Sequence, residues 1–256
     1  MTPDQINEIR VNPYKDDFPL LSRNADLAFL DSAATGQRPA CVLDAQRSFY
    51  ETMNANALRG LYRLSVEATQ AINDARHTVA SFIGASESQD IVFCRNTSEA
   101  LNIVAKSFGA SVLKPGDEVC ISIMEHHSNL IPWQQVCRAT GASLVYLRPD
   151  KQGIITAEEM DRKINQRTKI VSVTHVSNVL GIENPVVELG KRVHAVGGYL
   201  VVDGAQSVPH ISVDVKQIGC DFFAFSGHKV FGPFGIGVLW GLHELLDGMP
   251  TFLTGG

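Results

Sequence analysis

Phe222-Phe223-Ala224-Phe225-Ser226-Gly227-His228-Lys229 sets an apolar run directly before a hydroxyl, a glycine, an imidazole and an amine. Upstream, Val201-Val202-Asp203-Gly204-Ala205-Gln206 repeats the plan, with a β-branched run ending in a carboxylate and polar turn residues. Short apolar runs bounded by turn signals read as buried strands. Working outward, the strand-like segments are residues 90–94, 118–123, 143–147, 170–176, 199–203, 221–225 and 236–240. Helix-period stretches lie between them, near 66–82, 98–113, 129–140, 157–164 and 186–196. Strands alternating with helices predict an α/β fold with a mostly parallel seven-stranded sheet flanked by helices. Loops carry plain punctuation at Lys114-Pro115-Gly116-Asp117, Arg148-Pro149-Asp150 and Gly197-Gly198. With no repeat and no internal linker, residues 21–256 read as one domain preceded by a segment 1–20.

Composition narrows the function. A chain of 256 residues that is 45% hydrophobic buries a substantial core. Its formal charge of −5 and lack of a basic block argue against nucleic acid as a partner. The polar stretch Met1–Arg10 lacks a secretory signal's apolar core. No apolar run approaches the roughly 20 residues of a membrane span. Cys41, Cys94, Cys120, Cys137 and Cys220 are scattered and have no CxxC spacing, so they read as reduced thiols of a cytoplasmic protein. Nothing has the spacing of a zinc site.

The chemistry sits at the strand ends. An amine at Lys229, beside a buried run, loses solvation, which lowers its pKa from about 10.4 and frees it to attack an aldehyde. Asp203 ends another strand. A lysine for a Schiff base and a carboxylate for a pyridinium nitrogen are what pyridoxal phosphate requires. Taken singly, the two also read as a snorkelling lysine and a turn aspartate. Asn96-Thr97-Ser98-Glu99 has capping-box spacing and a hydroxyl-rich strand-to-helix turn that suits a phosphate, although the same residues cap any ordinary helix. Glu125-His126-His127 follows a strand end, where open α/β sheets place ligands, and an imidazole there can stack on a ring. Adjacent histidines point apart, which argues against a shared metal. Asn178 stands beyond another strand end, as a turn residue or a polar contact. Gly232-Pro233-Phe234-Gly235-Ile236-Gly237 is not GxGxxG, so nucleotide binding has little support.

These residues resemble the class V aminotransferase family within PLP fold type I, and more narrowly the SUF-type (group II) cysteine desulfurases and selenocysteine lyases. The matching segments are Leu30-Asp31-Ser32-Ala33-Ala34-Thr35, Arg95–Glu99, Met124–Asn129 with Pro132-Trp133, Val176–Gly181, Val202–Gln206 and Ser226–Lys229. The resemblance implies that Lys229 carries the cofactor, Asp203 pairs with the ring nitrogen, His126 stacks on the ring and Gln206 meets the phenolic oxygen. It assigns the phosphate to Thr97, Ser98, Ser226 and His228, and the substrate to Ala33, Asn178 and Arg59. L-cysteine or selenocysteine, a homodimer and a sulfur-acceptor protein of iron–sulfur cluster assembly come with it. Leu58 and Tyr62 depart from the family, which has histidines there. Relatives also continue past the Gly255-Gly256 position into a small C-terminal domain, missing here. That domain carries the cysteine that takes the sulfur and an arginine for the substrate carboxylate. Other class V reactions, and a non-catalytic cofactor-binding fragment completed by a separate chain, are the alternatives.

Overall fold

The computed structural model describes residues 13–24 and 26–255; the polar stretch Met1–Arg10 lies outside them. Seven strands form one sheet: β1 (Ile91–Cys94), β2 (Glu118–Ser122), β3 (Ser143–Leu147), β4 (Thr168–Thr174), β5 (Tyr199–Asp203), β6 (Phe222–Ser226) and β7 (Gly237–Gly241). Their order is β1-β7-β6-β5-β4-β2-β3. Pairs β2–β3, β2–β4, β4–β5 and β5–β6 are parallel, whereas β7 runs antiparallel to both β6 and β1. One strand is therefore reversed, and the other six point the same way. The order turns back on itself at β2, with β3 on one side and β4 on the other. Such a switch point opens a crevice at the carboxyl ends of the strands.

Helices cover both faces: α1 (Pro19–Arg23), α2 (Ala40–Thr52), α3 (Arg63–Phe82), α4 (Thr97–Ile103), α5 (Ile131–Thr140), α6 (Ala157–Lys163), α7 (Val186–Ala195), α8 (Val215–Ile218) and α9 (His243–Gly248). α4 continues through a π-helical turn, Val104–Gly109, and a last α turn, Ala110–Val112, so the single helix expected over 98–113 changes its hydrogen-bonding pitch midway. Asn129 precedes α5 in a 3₁₀ turn (His127–Asn129) instead of starting the helix.

Period-2 alternation divides the core. Val119, Ile121, Val201, Phe222, Ala224 and Leu239 pack with Leu101, Val104, Phe108 and Trp133 of the α4–α5 side. Their strand neighbours Cys120, Leu200, Val202, Phe223, Phe225, Val238 and Trp240 pack with Leu189 and Val193 of α7 and Met160 of α6. Each large aliphatic or aromatic side chain among them, once fully buried, contributes roughly 1.5–3 kcal/mol. Both faces of the central strands are thus closed to solvent, and most polar residues gather at the rim. Among the described residues no helix is long and apolar enough to cross a membrane.

Candidate active site at the strand ends

A cavity of about 480 Å³ lies at that rim. Each forward strand beside it delivers part of the wall. β1 leads to Asn96–Ser98, β2 to His126 and Ser128, β4 to Thr174 and Asn178, β5 to Asp203 and Gln206, and β6 to Ser226, His228 and Lys229. Asp31, Ala33 and Ala34 close it from the N-terminal segment. Every site residue expected from the sequence meets here except Arg59. That residue is exposed and outside the lining. Its segment is tied instead to α3: the Leu58 N–H donates to Thr69 Oγ1 (2.8 Å) and Ser65 Oγ donates to the Asn56 carbonyl (2.7 Å). Leu58 takes a left-handed φ of 71° in doing so.

Lys229 and Asp203 perturb each other's charge. Burial lowers the Lys229 pKa, and the Asp203 carboxylate partly opposes it. Asp203 is 3% exposed. Burial raises its pKa, against the Ala205 N–H that donates to Oδ1 at 2.9 Å and the nearby Lys229 and His126. A low-dielectric carboxylate of this kind gains strongly from a cation placed against it, and burial shifts the amine toward its neutral, nucleophilic form.

The hydroxyl-rich part of the wall is built across the sheet. The Thr97 N–H donates to Ser226 Oγ at 2.8 Å, and the Thr97 and Ser226 hydroxyls lie 2.6 Å apart. Asn96 caps α4 by accepting the Glu99 N–H at 2.9 Å. The other arm of the expected capping box differs: Glu99 accepts from the Arg95 N–H (2.6 Å) and Arg95 Nε (2.9 Å), because the guanidinium beside it is the stronger donor. Gly237 makes the close approach possible, since a Cβ there would stand 2.5 Å from Asn96 Cα. His228 is braced by Thr35 Oγ1 at 3.2 Å from Nδ1 and by stacking on Phe234, with ring centroids 5.3 Å apart. The Gly36 N–H and the Thr35 hydroxyl both donate to the His228 carbonyl. Gln206 Nε2 donates to the Ala33 carbonyl at 2.7 Å, tying the N-terminal segment to the β5 turn.

Behind His126 stands a residue that sequence reasoning did not single out. The carboxyl group of Glu125 accepts from Ser122 Oγ (2.5 Å) and Asn129 Nδ2 (2.6 Å), while Asn129 Oδ1 accepts from Trp133 Nε1 (3.1 Å) and Ser172 Oγ (2.6 Å). Burial, only partly offset by these donors, pushes the Glu125 pKa up to about 7. A carboxyl group raised on folding favours the folded state below its unfolded pKa, and that advantage is lost as pH rises through the folded value. The protein is therefore expected to lose about 3 kcal/mol between pH about 4.5 and pH about 7 through this group. Glu125→Gln should flatten that part of the curve in urea unfolding across the range. Parallel wild-type and variant curves would show that Glu125 does not titrate there.

The five cysteines are free, and none lines the cavity. Burial raises Cys94, Cys120 and Cys137 to about 11 and pushes Cys220 up as well. Cys41 is exposed on α2. Ser128 and Thr174 also line the cavity without having been singled out; Ser128 stood within the Met124–Asn129 segment two residues from His126, and Thr174 two residues from a recognised strand end.

An α/β sheet with one reversed strand and a lysine–carboxylate cavity at its carboxyl rim defines the large domain of PLP fold type I. Residues 28–256 match the aminotransferase class-V family, and the chain belongs to it. It is 48% identical over 242 residues to a probable cysteine desulfurase of Halalkalibacterium halodurans, covering 93% of this chain and 60% of the relative. It is 46% identical over 254 residues to a cysteine desulfurase of Dickeya dadantii, covering 98% and 62%. Among solved structures, an apo cysteine desulfurase of Thermococcus onnurineus superposes with a TM-score of 0.90 at 40% identity, over 95% of this chain and 60% of that one. The Escherichia coli cysteine desulfurase CsdA superposes with a TM-score of 0.87 at 37% identity, over 95% and 61%. The chain thus spans about three fifths of the length of these relatives.

Proposed function

We propose that residues 21–256 are the cofactor-binding domain of a pyridoxal-phosphate-dependent cysteine desulfurase acting on L-cysteine or selenocysteine. One observation carries the reading: a desolvated amine and a buried carboxylate share a cavity with the hydroxyls of Thr97, Ser98 and Ser226. The residues present fit the group. Asp203, raised by burial, gains from a protonated ring nitrogen; Lys229 is disposed to the neutral form that attacks an aldehyde; hydroxyl and N–H donors suit a phosphate.

Pyridoxal phosphate, when bound, supplies a ring that withdraws electrons from the substrate α-carbon. The remaining tasks belong to the chain. Lys229 Nζ would hold the cofactor and, once the substrate amine has taken its place, the freed amine would be the base for the α-proton. Asp203 would keep a proton on the ring nitrogen, His126 would cover the ring face, and Gln206 would serve the phenolic oxygen. Thr97, Ser98, Ser226 and His228 hold the phosphate, and Asn178 and Ala33 border the substrate. The thiol that takes up sulfur is none of the five cysteines here, so a small domain, in cis or in trans, completes the reaction. A homodimer, a sulfur-acceptor protein, iron–sulfur cluster assembly and a reducing cytoplasm belong to the same reading.

Titration with pyridoxal phosphate tests it. Saturable binding at one cofactor per chain is expected, with a new visible absorption band. Lys229→Ala should lose the band while retaining phosphate-dependent affinity. An unchanged band in Lys229→Ala would contradict the reading.

A further inference from the structure

Ser128 stands between two functional groups. Its hydroxyl is 2.5 Å from Ser98 Oγ and 2.9 Å from His126 Nδ1, and its own backbone N–H donates to the same Nδ1 at 3.1 Å. All three residues line the cavity. The backbone contact decides the tautomer: an N–H donor requires an unprotonated Nδ1, so the neutral imidazole carries its proton on Nε2. With no proton on Nδ1, the contact between Nδ1 and Ser128 Oγ is made by the Ser128 proton. A hydroxyl has one proton to give, so the Ser98 hydroxyl must then donate to Ser128. The chain of donors runs Ser98 to Ser128 to His126.

We propose that Ser128 is a positioning residue that transmits anion occupancy at Ser98 to the imidazole of His126. The inference deepens the reading above and rests on its assignment of phosphate to Ser98. An anion that accepts the Ser98 proton turns the first link round: Ser98 Oγ becomes the acceptor, the Ser128 proton follows it, and Nδ1 keeps only the backbone N–H. Occupancy of the phosphate end thereby changes how many donors hold the imidazole that lines the cavity. No bond is made or broken, and only donor directions reverse.

The test uses the whole chain with ¹⁵N-labelled histidine, inorganic phosphate as probe, and constant ionic strength. His126 is assigned by loss of its signals in His126→Gln, and anion binding is followed separately at the Thr97–Glu99 amides. In the wild type, phosphate should move Nδ1 downfield as it loses a donor and leave Nε2 nearly still. Ser128→Thr, which retains the hydroxyl, should keep that response; Ser128→Ala should lose it while the Thr97–Glu99 amides still shift. An equal Nδ1 movement in Ser128→Ala overturns the relay and leaves the phosphate assignment standing. Still Nδ1 with shifting amides in the wild type does the same. Amides that ignore phosphate in the wild type overturn the assignment and the relay with it.

Discussion

Supplied with pyridoxal phosphate and L-cysteine, this chain is expected to release alanine and sulfide no faster than the free cofactor does. Abstraction of sulfur needs a thiolate held against the substrate. Positioning a reacting group lowers a barrier by roughly 7–11 kcal/mol, or about 10⁵- to 10⁸-fold in rate. No cysteine lines the cavity, and Cys94, Cys120, Cys137 and Cys220 are held protonated by burial. Cys94, the one closest in sequence to the cavity wall, turns its sulfur to the Asn96 carbonyl at 3.3 Å. Replacing any of the five by serine should leave the low rate unchanged. Adding a separate small domain with its own cysteine should raise it by orders of magnitude. Full turnover by this chain alone, abolished by one of those serine replacements, would show that the nucleophile is already present.

The second large effect belongs to Asp203. Asp203→Asn keeps the shape of the side chain and an oxygen for the Ala205 N–H, but removes the charge that the proposed function assigns to the ring nitrogen. Hydrogen bonds to charged groups contribute about 1.5–3 kcal/mol. Exchange of the substrate α-proton with deuterated solvent should therefore slow by about 10- to 150-fold. Cofactor capture by Lys229 should persist. Exchange at the wild-type rate would remove Asp203 from the chemistry.

Much of this architecture was legible from local signals. β3 and β5 begin and end at the residues expected, because each holds a four-residue apolar run closed by turn residues or a carboxylate. The reversed direction of β7 has a local cause too. Only residues 227–236 join it to β6, too few for the crossover of a dozen or more residues that a parallel neighbour needs. α2 went unforeseen although Val42, Ala45 and Phe49 recur at helical spacing; it buries no residue fully. The site divides in the same way. Lys229, Asp203, His126 and the hydroxyl turn stand at strand ends, where a sheet delivers side chains. Ser128 meets Ser98, thirty residues away, and Glu125, whose own partners Ser122 and Asn129 are close in sequence, is tied to β4 through the Asn129–Ser172 bond. Nothing in the local pattern encodes those meetings. Arg59 lies outside the cavity lining for the converse reason, since a motif position does not show which way its loop is tied.

Borohydride reduction of the chain saturated with pyridoxal phosphate, followed by peptide mapping, tests the central claim most directly. The desolvated amine of Lys229, facing Asp203 in the cavity, should carry the pyridoxyl mass on its own peptide at close to one per chain. Label spread over exposed lysines such as Lys151 and Lys191, or no label, would contradict the account.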